Sequence, residues 1–409
     1  MLLTNEERDV EVYTDDNSPT VASAVVPETP LEELNLNWRE KDLPQRLRTK
    51  HVHGLHPYLG KFVPQLVEIF LRKYFTPGQT ILDPFSGSGT ALVQANELGV
   101  HSIGCDISAF NVLLCNVKTA QYHFEQAKRE IWDILERTRT TTQDGVHQLV
   151  FWKNQLNPQT TYETADPYLL NWYAPQARRE LLAYKHYIET GDYQYKDLLK
   201  IILSRSARSA RLTTHFDLDF PKEPQTEPYW CYKHARTCSP VQEAFKFLSR
   251  YSADTFKRIS VFAKKRTTAH VTIHHADSRT FNFPPIDGVI TSPPYVGLID
   301  YHEQHKYAYH LLNLRDRRSE EIGPAARGTS QKARKQYQKS IAEVFRNALT
   351  SMPVGGRIIV VAGDRHNLYD EIAQALDVEV EGVVKRHVNR RTGRRSGEFY
   401  ESIFIWKKV

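Results

Sequence analysis

Gln79-Thr80-Ile81-Leu82-Asp83-Pro84-Phe85-Ser86-Gly87-Ser88-Gly89-Thr90 is the stretch on which the fold turns. Its first half is a short apolar strand that ends on a carboxylate. Its second half is a glycine-rich turn that opens a helix of about eleven residues. Gly99 closes that helix as a left-handed cap, and Val100 to Asp106 reads as a second strand. Strand, helix, strand at this spacing is a parallel βαβ unit. Upstream, Leu66, Val67, Phe70, Leu71 and Tyr74 recur at helical spacing, and Thr76-Pro77-Gly78 ends that run. Downstream the alternation stops. Residues 108–266 read as mainly helical, with aromatic-rich breaks at 151–175 and 213–239. Ser239-Pro240-Val241-Gln242 predicts a helix start: an N-cap, a proline at the first helical position and a capping-box acceptor. Strands return near 270–275, 287–291 and 357–362, and an antiparallel hairpin, roughly 379–388 with 399–407, closes the chain. The expected fold class is α/β: one open Rossmann-like sheet with a C-terminal antiparallel hairpin and a large, mainly helical insertion.

Two loops carry the chemistry. In Asp83 to Thr90, glycine lets backbone N–H groups approach a ligand that a Cβ would obstruct. No Gly-Lys-Ser/Thr follows, so this is not a phosphate loop, and the three-glycine dinucleotide spacing is absent. Asp106, twenty-three residues past Asp83, ends the next strand, where a carboxylate suits the two hydroxyls of a ribose. A glycine turn alone is more often structural; the spaced aspartate strengthens the ligand reading. The second loop is Asp287-Gly288-Val289-Ile290-Thr291-Ser292-Pro293-Pro294-Tyr295. A strand runs into two prolines, so Ser292 leaves its end on a stiff turn. A rigid loop with a core tyrosine is the plainer alternative. A polyproline ligand is disfavoured, because the motif ends an apolar strand.

Composition narrows the class. The 409 residues are 40% hydrophobic and 25% charged, with mean hydropathy −0.52, and no apolar run approaches a membrane span. Four scattered cysteines make no disulfide framework, so a reducing cytoplasm is the expectation. Residues 1–35 hold nine acids and one base, which leaves residues 36–409 with 53 bases, 39 acids and a net charge of +14. Such a surplus serves solubility or a polyanionic partner, most often nucleic acid.

Together the two loops resemble the amino-methylating, S-adenosylmethionine-dependent DNA methyltransferases, which carry an Asp-Pro-Phe-x-Gly-Ser-Gly-Thr cofactor loop and a Ser/Asp/Asn-Pro-Pro-Tyr catalytic loop. His56-Pro57-Tyr58-Leu59-Gly60-Lys61-Phe62-Val63-Pro64 is similar to the segment that precedes the cofactor loop in that family. The resemblance spans about 50–120 and 270–409 and implies a class I methyltransferase sheet with S-adenosylmethionine as cofactor. It implies that Ser292 and the Pro293 carbonyl accept from the target amine, with Pro294 completing the turn and Tyr295 stacking on a base swung out of the duplex. It also implies that Lys61, Phe62, Asp83, Phe85, Gly87, Gly89 and Thr90 surround the cofactor, Asp83 facing its ammonium group. Asp106 would hold the ribose and Asp277 the adenine amine. Within the family serine leans toward the N4 amine of cytosine and aspartate toward the N6 amine of adenine. Cytosine N4 is therefore the expectation, with adenine N6, or a guanine amine in structured RNA, as alternatives. Carbon-5 methylation needs a cysteine nucleophile, usually after proline, and none of the four follows one.

The domain organisation expected is a disordered acidic tail at 1–35, the core's first part at 36–107, the insertion at 108–266 and its second part at 267–409. The insertion's place between Asp106 and Asp277 matches no family arrangement neatly. It is nonetheless the first candidate for target recognition, because Arg205, Arg208 and Arg211 would stripe one helix face. Arg315, Arg317 and Arg318, the run from Arg327 to Lys335, and a basic hairpin tip with Arg391 and Arg394 are further phosphate-contact candidates. Cys231, His234 and Cys238, with His215 upstream, lack the paired ligand spacing usual in zinc sites. Packing is the expected role, with no metal. Double-stranded DNA is the expected partner and the nucleoid of the cytoplasm the location, while whether a restriction nuclease accompanies the chain is left open by the sequence.

Overall fold

The computed structural model describes residues 18–60, 62–144, 162–388 and 399–409. A seven-stranded sheet holds β1 (Thr80–Asp83), β2 (His101–Asp106), β5 (Val271–His275), β6 (Gly288–Thr291), β7 (Arg357–Ala362), β8 (Val378–His387) and β9 (Tyr400–Lys408), while β3 (Tyr229–Cys231) and β4 (Arg236–Cys238) form a separate hairpin. The sheet order is β5-β2-β1-β6-β7-β9-β8. β5, β2, β1, β6 and β7 run parallel, and β9 enters antiparallel between β7 and β8. This is the Rossmann-like class I arrangement. The chain winds outward from β1 to β5, then returns to the other side of β1 with β6. The switch point lies between β1 and β6, and crevices at such points take ligands at the carboxyl ends of the strands.

Strands buried on both faces send alternate side chains to opposite layers. Leu82, Val289, Ile358, Val360, Phe404 and Trp406 pack under the helices Gln331–Thr350 and Tyr369–Leu376. Their neighbours Ile81, Ile290, Ile359, Val361, Ile403 and Ile405 pack against the helices Pro64–Tyr74 and Thr90–Glu97. A third apolar cluster belongs to the insertion, whose helices Phe124–Arg139, Pro175–Thr190, Lys196–Ala210 and Phe245–Ala263 pack beside Ala109–Thr119. The last of the four buries Leu248, Ser252, Thr255, Ile259 and Phe262, a stripe with heptad spacing.

Three expectations need correction. Residues 18–35 are not a disordered tail: Thr20 and Asn35 exchange hydrogen bonds, and Ala22, Val25, Leu34 and Leu36 are buried with the helix Pro64–Tyr74. Those apolar positions have no strand or helix period, which hid them. The insertion's last helix starts at Phe245, not after Ser239. Its first amides, on Ala244 and Phe245, donate to the buried Glu180 carboxylate at 2.6 and 2.8 Å, so a side chain from another helix replaces the local cap. Lys196–Ala210 is buried nearly all round, so its arginine stripe faces inward. Arg205, 5% exposed, bonds Asp254 and Thr255 over the Tyr251 ring. Arg211, 3% exposed, lies over the Tyr307 ring, and Arg208 pairs with Asp219. The DNA-contact role expected of these three arginines is not supported by where they point.

Candidate active site

A cleft of about 830 Å³ opens at the switch point. The glycine turn between β1 and the helix Thr90–Glu97, the end of β2 and the loop after β6 form its walls. Gly87 and Gly89 hold φ of 46° and 73°, which side chains rarely adopt. A Cβ at Gly89 would stand 2.9 Å from Cys115 Sγ and one at Gly87 3.0 Å from Tyr58 Oη. The turn is therefore tight because two other elements press on it.

Phe62, Phe85, Gly87, Thr90, Asp106, Asp277, Ser292 and Pro294 all line the cleft. Pro293 is buried behind its neighbours, and Gly89 caps the helix just beneath. Lys61, Arg391 and Arg394 lie outside the described residues.

Asp83 sits one residue before the lining, 1% exposed. Its Oδ1 accepts from Thr291 Oγ1 at 2.6 Å and from Phe85 N at 3.2 Å. Its Oδ2 is buried without a partner. Burial pushes this carboxyl up to about 7, against the opposing pull of the Thr291 and Phe85 hydrogen bonds. Asp106 accepts from Gly87 N and Ser108 N at 2.8 Å each, and from Asn111 Nδ2 at 3.1 Å on both oxygens. Its carboxyl is also raised, chiefly by burial. A ribose diol held at Asp106 would exchange for the Asn111 amide. Asp277 is chelated by Arg279 through both oxygens. Burial works to raise it, but the Arg279 hydrogen bonds and charge outweigh that and hold it low.

The residues that follow β6 are held from behind. Tyr295 donates from its hydroxyl to Glu401 Oε1 at 2.9 Å, and Glu401 Oε2 accepts from Arg386 Nε at 2.8 Å. Arg386 in turn lies over the Trp38 ring. The Tyr295 ring stands 6.1 Å from Phe399, tilted against it. Burial first, then the adjoining Glu401 carboxylate, raises the Tyr295 hydroxyl far above its usual range, so it stays a neutral donor.

Sequence reasoning missed several of these partners. Tyr58 and Tyr301 stack at 5.7 Å along one wall. Glu321 lines the cleft, accepts from His302 N and pairs with its ring, and keeps a buried Oε2 without a partner. Two of them left a signal: Tyr58 lies in the singled-out segment His56 to Pro64, and Glu401 is a carboxylate inside the apolar run Phe399 to Trp406, directly across the hairpin from Arg386. The cradle fits a ligand with a ribose and a cationic head. It has two buried carboxylates with an unpartnered oxygen each, a third fixed at the end of β2, and a turn where no Cβ fits.

A second group of side chains revises an expectation. His215, Cys231, His234 and Cys238 each offer a ligand atom within 4.8 Å of all the others, so packing is not an adequate account of them. Among the described residues no helix is long and apolar enough to cross a membrane.

A family profile described as a DNA methylase matches residues 5–116. The type II methyltransferase M.MjaII of Methanocaldococcus jannaschii is 38% identical, over 89% of this chain and 82% of its own length. The type II methyltransferase M.BsoBI of Geobacillus stearothermophilus is 24% identical over 69% of this chain and 56% of that relative. Among solved structures, TrmN from Thermus thermophilus matches at 13% identity and a TM-score of 0.31, covering 86% of this chain and 50% of that one.

Proposed function

The chain belongs to the DNA methyltransferases that modify exocyclic amines, and from that premise we propose that it methylates the N4 amine of cytosine within a specific duplex site. The observation that carries the proposal is that Ser292 and Pro294 line the same cleft as Gly87 and Asp106, at the carboxyl ends of three adjacent strands. S-adenosylmethionine, the methyl donor of this family, supplies an electrophilic methyl group on a sulfonium. Everything else is the work of the chain. Phe62, Phe85, Thr90 and the two glycines enclose the cofactor, Asp106 takes its ribose, Asp277 its adenine and Asp83 its ammonium group.

Ser292 Oγ and the Pro293 carbonyl accept from the two amine hydrogens. Holding both redirects the nitrogen lone pair from the ring toward the methyl group, a positioning effect that needs no covalent intermediate. The neutral serine, where adenine enzymes of the family lean toward aspartate, favours cytosine. A proton leaves the amine only after attack, so no strong base is required there. Tyr295, with its hydroxyl tied to Glu401, presents its ring to a base turned out of the stack, since a paired amine is out of reach. Of the basic stretches, Arg317 and Arg318 are engaged with Glu320 and Asp316, which leaves duplex contact to other surfaces. We assign it to the β3–β4 hairpin of the insertion, where Trp230 and Tyr232 are 53% and 81% exposed and Lys233 and Arg236 lie beside them. A companion restriction nuclease for the same site and a nucleoid location in the cytoplasm complete the proposal.

The test is expression in a host without DNA methylation, followed by sequencing that distinguishes modified bases. N4-methylcytosine in one short motif, absent with Tyr295→Ala, supports the assignment. N6-methyladenine overturns the role given to Ser292. No modified DNA base from folded, cofactor-binding protein overturns the substrate and moves the case to a guanine amine in RNA.

A further inference from the structure

Away from the cleft, His215, Cys231, His234 and Cys238 point at one another. Cys231 Sγ lies 3.5 Å from His215 Nδ1 and 3.6 Å from His234 Nδ1, and His234 Nδ1 lies 3.5 Å from Cys238 Sγ. In a tetrahedral zinc site, metal–sulfur and metal–nitrogen bonds of roughly 2.3 and 2.0–2.1 Å put neighbouring sulfur and nitrogen ligands about 3.5 Å apart. These three edges match that figure.

Hydrogen bonding does not explain the cluster. His234 Nδ1 stands between two sulfurs, yet one ring nitrogen offers a single proton or a single lone pair. Nor does apolar packing. Cys231 and Cys238 are buried, but neither belongs to the insertion's hydrophobic core. Around them Phe216, Phe220, Trp230 and Tyr232 are exposed, and three-residue β3 and β4 are the sole regular elements between 213 and 239. An isolated two-stranded hairpin of that length is not stable by itself.

The backbone serves the convergence. Cys238 pairs with Tyr229 in the ladder, so it shares a face with Cys231. Ala235 takes a left-handed φ of 49°, strained for a residue with a Cβ, and His234 N donates to Cys231 O. That turn is what brings the His234 ring back over both sulfurs.

We propose that these four residues bind one zinc ion as a closed structural site that ties the β3–β4 hairpin to the loop at His215. Two thiolates and two imidazoles suit a borderline-soft metal with no geometric preference of its own. Four protein ligands leave no open position, so the site is structural. On binding, each thiol releases its proton to solvent and the two imidazoles bind neutral. Tyr229 Oη, 2.8 Å from His215 Nδ1, loses that hydrogen bond to the metal. The other metal-like group, His51, His53 and Glu97, has no sulfur, and its carboxylate is already engaged by Lys50.

The whole chain, purified in reducing buffer without chelator, should carry close to one zinc per molecule by elemental analysis. Replacing zinc with cobalt(II) should give the visible bands of a tetrahedral ion together with thiolate charge transfer in the near ultraviolet. Cys231→Ser and Cys238→Ser should each lose the metal, with cofactor affinity in the cleft held within about twofold. If those variants do not fold, the cobalt spectrum of the unaltered chain still decides. Cobalt bound without thiolate charge transfer, no uptake of either metal, or a Cys231–Cys238 disulfide in freshly purified protein each overturns the assignment.

Discussion

Asp83, just behind the cleft lining, gives the site a testable pH dependence. Burial raises its carboxyl to about 7 in the free chain, whereas in the unfolded chain it titrates near ~3.9. The folded state therefore holds a proton that the unfolded state releases. The stability contributed by this group is full below about pH 4 and is lost as pH rises through about 7. A cation delivered to Oδ2 reverses the preference, so cofactor binding is expected to expel the proton. Affinity measured by calorimetry should then rise between pH 5.5 and 7, by at most about tenfold per unit, and Asp83→Asn should flatten the profile. An unchanged slope in that variant would remove Asp83 from the ammonium contact. Glu401 argues at the same scale. Glu401→Gln keeps the shape but leaves buried Arg386 without its charge partner, at a cost of about 1–3 kcal/mol, visible as a lower denaturant midpoint. Tyr295→Ala, by contrast, should lower turnover more than cofactor affinity. The sequence exposed Asp83 and Asp106 because each closes a strand, and Ser292 and Tyr295 because they sit in the proline turn just past one. It could not expose Asn111, Tyr301 or Glu321, which reach the cleft through helix packing and carry no local signal.

Among the elements, the helices show where local reading stops. The central strands of the sheet were legible because residues buried on both faces give unbroken apolar runs, as Arg357–Ala362 does, while three-residue β3 and β4 are too short to show a period and lay in a stretch read as an aromatic-rich break. The arginine stripe of Lys196–Ala210 had the right period and the wrong environment, since period says which side chains share a face and not whether that face meets water. Arg205→Ala separates the two readings. It leaves Asp254 paired with Arg258 alone, takes the donor from buried Thr255 and empties space over Tyr251, so thermal unfolding should show a loss of about 1–3 kcal/mol. The slope of DNA affinity against salt should stay unchanged; a slope lowered by about one unit would restore the phosphate contact. The helix Phe245–Ala263 makes the complementary case. Its cap comes from Glu180, on a helix that sequence proximity could not connect to it. Glu180→Ala should cost at least the roughly 1–2 kcal/mol of a lost N-cap, because the amides it frees would stay shielded from water with no replacement acceptor. Substitution of Ser239, the local candidate, should cost nothing measurable.

For the whole molecule, charge divides the work between two surfaces. Residues 36–409 carry a net charge of +14, yet the cleft is lined by Asp106, Asp277, Glu320 and Glu321. A duplex phosphate backbone is repelled from such a pocket, whereas an extruded base and a cationic cofactor are not. On the proposed reading, the basic surplus acts outside the cleft, over the surface that meets the duplex backbone. Counterion release makes that part of binding fall steeply with salt, by orders of magnitude between 50 and 200 mM where several phosphates are neutralised. The contacts proposed for the cofactor, at Asp83 and Asp106 above all, are buried groups that salt screens poorly. Paired titrations of one preparation test this division: DNA affinity should collapse across that range while cofactor affinity moves by only a few fold. If both fell in parallel, DNA and cofactor would be sensing one shared field, and an acidic pocket sealed off from a basic docking face would be the wrong picture of the molecule. If neither fell, the basic surplus would serve solubility alone.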